Sequence, residues 1–88
     1  MMIRTNSGLK SELIFRALKE KGATIVTPTG VEVGPRTVGD GSFYVLAPGF
    51  AGTTFAFAYE ALCHANYLHQ RILKDRNNSS VLIYLARP

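Results

Sequence analysis

A single cysteine, Cys63, leaves the chain unable to form an intramolecular disulfide or a cysteine-rich zinc site, and the expectation is a reducing, cytoplasmic setting. No apolar run approaches the ~18–20 residues that span a bilayer. The longest is the six residues Val81–Ala86. Met1–Asn6 carries one charged side chain and no apolar stretch, so it does not read as a signal peptide. Repeats, low-complexity tracts and linkers are missing too. So are a lysine-bearing Walker loop and the glycine fingerprint of dinucleotide folds. There is no nucleophile–base–acid set and no carboxylate pair, and two histidines with one cysteine do not compose a metal site. The reading is of a non-enzymatic protein with no metal and no cofactor.

What remains is apolar and basic. Eighty-eight residues hold one domain, residues 1–88, and a chain of this length buries only ~60–65% of its unfolded surface. Yet 47% of its residues are hydrophobic and mean hydropathy is +0.08. That excess argues for apolar surface covered by another chain, in a homo-oligomer or against a standing partner. Ten basic residues against six acidic ones give a net charge of +4, which suits an acidic protein surface or nucleic acid.

Periodicity predicts two helices and four strands. Asn6 or Ser7 caps a first helix from about Gly8 to Lys21, stopped by Gly22. Ile14, Phe15, Ala17 and Leu18 share its apolar face, with Leu13 at the margin. Opposite them lie Glu12, Arg16, Lys19 and Glu20, mixed in sign as on a solvated surface. Ala23–Thr27, Val31–Val33 and Ser42–Leu46 read as strands, with turns at Pro28–Gly30 and Gly39–Gly41. Gly34-Pro35 marks a bulge, an end or an edge. A second helix is expected over about Thr54–Lys74, its apolar arc holding Phe55, Ala58, Ala61, Leu62, Ala65, Leu68, Ile72 and Leu73. After a turn at Asn77–Ser79, Val81–Ala86 reads as a strand buried on both faces. The fold class is thus α+β, in the order α-β-β-β-α-β. Both helices pack on one face of a four-stranded mixed sheet, and the last three elements form a right-handed βαβ crossover. The other face is left open for an oligomer contact, with Phe43, Val45 or Tyr84 on it.

Three residue sets are candidates for chemistry. Ala47–Thr54, between the predicted strand and helix, has the composition of an anion-binding helix start: Gly49 and Gly52 admit a close backbone, and Thr53 or Thr54 stands at the cap. The same residues also serve as a plain turn and cap. Glu60, His64, Tyr67 and Arg71, at i, i+4, i+7 and i+11, form one polar line opposite the apolar arc, suited to recognising a partner. Glu60 beside His64 has acid–base geometry, and the whole line equally suits a wet helix face. His69 instead falls inside the apolar arc, as a buried, hydrogen-bonded histidine does. The third set is basic: Arg71, Lys74, Arg76 and Arg87, with Arg36 in the loop before Gly39. Cations near a helix C-terminus are favourable in themselves; converging with Arg36 and Arg87, they would grip phosphates.

The function that follows is a small, oligomeric binding or regulatory protein that occupies a surface of a larger protein or nucleoprotein complex. Inhibitors and accessory proteins carried by phages and other mobile elements share this size and bareness. Direct nucleic-acid binding through the basic set is one alternative. Capture of a small phosphorylated ligand or nucleotide at residues 48–54 is another.

Overall fold

The computed structural model describes residues 1–6, 8–9 and 11–86, with side chains as far as Asn77. The elements are β1 (Met2–Arg4), α1 (Glu12–Lys21), β2 (Thr24–Val26), β3 (Glu32–Pro35), β4 (Phe43–Ala47), β5 (Phe50–Phe55) and α2 (Ala58–Ala86). The five strands form one mixed sheet in the order β1-β2-β3-β4-β5. β1 runs parallel to β2 and every other pair is antiparallel. The class is α+β, as composition and periodicity indicated, with five strands where four were expected.

Register aligns Ile3, Ile25, Val33, Val45 and Thr53 in one row across the sheet. Ile25, Val33 and Val45 are essentially sealed from solvent, and α1 and α2 cover this face. Alternation puts Tyr44 and Leu46 on the opposite face, so Val45 does not emerge there, and Phe43 packs against the core. Tyr44 lies over Gly34, where an added Cβ would meet Thr24 Oγ1 at 2.9 Å and the Tyr44 hydroxyl at 3.0 Å. Its hydroxyl donates to Glu32 Oε2 at 2.7 Å. Burial and that neighbouring carboxylate raise the Tyr44 pKa.

α1 forms for local reasons. The Ser11 hydroxyl accepts from the Ile14 N–H, and Gly22 closes the helix at φ 62°, where the N–H groups of Gly22 and Ala23 both reach the Ala17 carbonyl. The helix therefore starts at Glu12 rather than Gly8. Leu9 is instead drawn into the core, and its N–H donates to Asn66 Oδ1 on α2 at 3.2 Å.

Three expectations fail around α2. First, residues 50–55, expected as turn, cap and the helix start at about Thr54, are strand β5, whose β-branched and aromatic side chains pair with β4. Pro48-Gly49 forms the two-residue link, with Gly49 at φ 81°, the signature of a type II turn. Such a turn splays a hairpin, and the β4–β5 pairing shifts register between Val45 and Ala47. Second, Asn77–Ser79 is no turn and Val81–Ala86 no strand: both continue α2. Between Gly52 and Pro88 there is no glycine or proline to stop the helix. Third, the expected crossover into a last strand is therefore absent, and the parallel βαβ unit is β1-α1-β2 at the other end of the chain.

α2 meets the sheet through small residues. Ala58, Ala61 and Ala65 are buried along one line, with Leu62 and Leu68 beside them. Without longer side chains there, the helix axis approaches β4 closely. His69, on the same face, is 2% exposed, as its angle on the helix required. Its Nδ1 lies 2.7 Å from the Thr29 hydroxyl, which lies 2.8 Å from that of Thr27, and Thr27 Oγ1 accepts from the Val31 N–H. This buried chain fastens the β2–β3 turn to α2. The described core ends at Ile72. At 29 residues and ~1.5 Å per residue, α2 is ~43 Å long and gives the molecule its 55 Å long axis.

Candidate partner-binding surface

α2 buries its alanine line and so turns residues 60, 64, 67 and 71 outward. Three of these four residues are joined by contacts. The His64 ring sits 5.2 Å from Phe55 on β5, tilted at 46°, and 6.4 Å from Tyr67, stacked at 28°. Tyr67 accepts a hydrogen bond from Arg71 Nη1 at 3.3 Å. That bond, with Asp75 one turn on, raises the Arg71 pKa and keeps the guanidinium charged. The result is a ladder of Phe55, His64, Tyr67 and Arg71 along one side of the helix. Glu60 stands exposed one turn before His64 and makes no hydrogen bond or ion pair among the described residues. The structure therefore does not pair Glu60 with His64.

Tyr67, Gln70, Arg71, Lys74 and Asp75 surround a shallow depression of about 480 Å³ at the end of this ladder. Because α2 runs on to Ala86, Arg71, Lys74 and Arg76 lie in mid-helix, and no basic residue occupies its last turn. Stabilisation of a helix C-terminus therefore does not account for them. Arg36 does not join this group. It lines the groove beside the α2 N-terminus, some 16 residues or ~24 Å of helix away from Lys74. There its Nη1 donates to Asp40 Oδ2 and Ser42 Oγ, each at 3.3 Å. Hydrogen bonds from Ser42, helped by the Arg36 charge, lower the Asp40 pKa below its ordinary 3.8. Arg87 lies outside the described residues.

The glycine-rich stretch is a hairpin and not a helix start. Gly49 sits at the turn, Gly52 and Thr54 in β5, and Thr53 Oγ1 is buried without a hydrogen-bond partner among the described residues. At Gly52 a Cβ would meet Leu46 Cδ2 at 2.9 Å, the tip of a half-exposed side chain that can turn aside. The α2 cap position is Phe57, whose carbonyl accepts from the Ala61 N–H and whose side chain offers no acceptor. Residues 48–54 therefore present no helix N-terminus to an anion.

Sequence periodicity missed a second surface. Phe57 and Tyr59 are 66% and 69% exposed, and with Phe15 they line a groove between α1 and α2. The alternation of Phe55, Phe57 and Tyr59 was the available signal, because an alternating aromatic run marks a strand and its exit better than a helix interior.

Among the described residues no helix is long and apolar enough to cross a membrane, and no cluster of three metal-ligating side chains occurs. No family model matches the chain, and no curated protein or solved structure matches it either.

Proposed function

We propose that the protein is a non-enzymatic binding protein that acts by occupying a surface of a larger protein or nucleoprotein complex, through the outer face of α2. The observation that carries this reading is the His64–Tyr67–Arg71 ladder, with Tyr67 and Arg71 exposed and half-buried His64 packed on Phe55. Aromatic and arginine side chains of this kind dominate contact energies at interfaces, and pre-ordering them lowers the entropy lost on binding. Self-association belongs to the same proposal. The apolar residues Val81–Ala86 extend a helix beyond the last described core residue, Ile72.

The test is affinity capture from native lysate with nuclease-treated and untreated arms, together with light scattering at micromolar concentration. The expected result is an oligomer that retains a defined protein in both arms. A monomer that retains nothing ends the proposal.

Tyr67 beside Arg71, Lys74 and Arg76 gives direct nucleic-acid binding a specific footing as a second reading, by stacking and phosphate contact. Capture lost on nuclease treatment, with affinity falling as salt rises, would favour it.

A further inference from the structure

Two depressions meet where α1 crosses the start of α2. The first, about 600 Å³, lies between the end of α1, the β3–β4 loop and the β5–α2 junction, and has walls of Phe15, Phe43, Phe57 and Tyr59. Among the described residues, its charged lining is Lys19 and Arg36. The second, about 430 Å³, has Leu9 and Leu62 at its base and shares Phe15 and Tyr59 with the first. Glu12, its charged lining residue among those described, is paired to Arg16 at 3.0 Å.

We infer that this groove binds an acidic peptide segment of a partner protein, which places one apolar side chain in each depression and a carboxylate over Lys19 and Arg36. Charge complementarity selects the occupant. Lys19 Nζ stands 5.6 Å from the Phe15 ring centroid, above the groove wall and free of any acidic partner among the described residues. Arg36 engages Asp40 and Ser42 through Nη1 alone, so its other N–H groups stay available for a carboxylate fork. The first turn of α2 opens on the same depression without a side-chain cap, and its dipole adds to both charges. The two apolar depressions separated by an aromatic pair suit alternate anchors, and no unpaired acid among the described lining residues offers a basic segment a partner. A second copy of this chain is a poor occupant, because it carries a net charge of +4 itself.

The test selects a displayed random 12-residue peptide library on the full chain. The strongest peptide is then titrated by fluorescence anisotropy against the wild type, Arg36→Glu, Lys19→Glu, Tyr59→Ala and the off-groove control Glu20→Ala. Enriched peptides are expected to carry Asp or Glu beside aromatic or branched residues. Binding is expected to weaken at least tenfold in Tyr59→Ala and in either charge reversal, and to hold in Glu20→Ala. Lys19 is exposed, so Lys19→Glu keeps the test decisive if Arg36→Glu does not fold. Enrichment of neutral or basic peptides, no enrichment, or groove variants that bind like the wild type would each overturn the inference. The outer face of α2 is separate from this groove, since Tyr67→Ala/Arg71→Ala changes partner capture there and leaves the groove lining intact.

Discussion

α1 and α2 lie side by side over the same sheet and are held there in different ways. α1 is short, capped by Ser11 at one end and Gly22 at the other, and buries Ala17 and Leu18 while Leu13 stays exposed. α2 is almost three times as long, begins at Phe57 without a side-chain cap, and meets the sheet through alanines. α1 is stabilised by its own ends and by the area that Leu18 buries. α2 is stabilised by closeness of fit, with Leu62, Leu68 and His69 buried beside the alanines, which leaves Tyr67 and Arg71 exposed on its outer face. A helix whose stability depends on one line of small residues can display an ordered row of large ones opposite.

This contrast is sharpest where a change of size has opposite signs on the two helices. Leu18→Ala is expected to cost ~2–5 kcal/mol in urea unfolding, because it leaves a cavity at a residue 1% exposed. At Ala65, fully buried, the damaging change is enlargement: Ala65→Leu should cost ~1–3 kcal/mol by driving α2 off the sheet. Equal tolerance at both sites would remove the distinction.

Next in size come the caps. Ser11→Ala should lose about 1 kcal/mol of stability. Phe57→Asp should gain a cap and, after its lost apolar contact, show a melting temperature no lower than that of the wild type.

The smallest effect lies off the helices, at Asp40 in the β3–β4 turn. Its lowered pKa means that the turn's contribution is complete above the ordinary 3.8 and is lost as pH falls through the depressed folded-state value. The Ser42 amide, which donates to Asp40 Oδ1 at 3.0 Å, should report a midpoint below 3.8 by NMR.

The same contrast explains what could be read from the sequence. α1, its Gly22 stop and the β2–β3–β4 meander depend on neighbours within a few residues, so periodicity and turn chemistry found them. β1 and β5 exist because other strands pair with them: three residues of β1 have no pattern of their own, and Phe50–Phe55 looked like a helix entrance until β4 is placed beside it. The reach of α2 was hidden because Asn77-Asn78-Ser79 resembles a turn, although nothing there forbids a helix. The ladder was legible because its spacing is purely helical. Phe55, which buttresses His64, was assigned to the wrong element. The Thr29–His69 contact joins residues 40 apart, and the groove joins both helices with the β3–β4 loop, so no local signal announces either.

The most direct test of the claim that α2 separates fit from display is to measure melting and partner binding together on Tyr67→Ala/Arg71→Ala. Both residues are exposed, so unfolding free energy should stay within ~0.5 kcal/mol of the wild type. Affinity for the captured partner should fall at least tenfold. Lost stability with unchanged binding would contradict the claim outright.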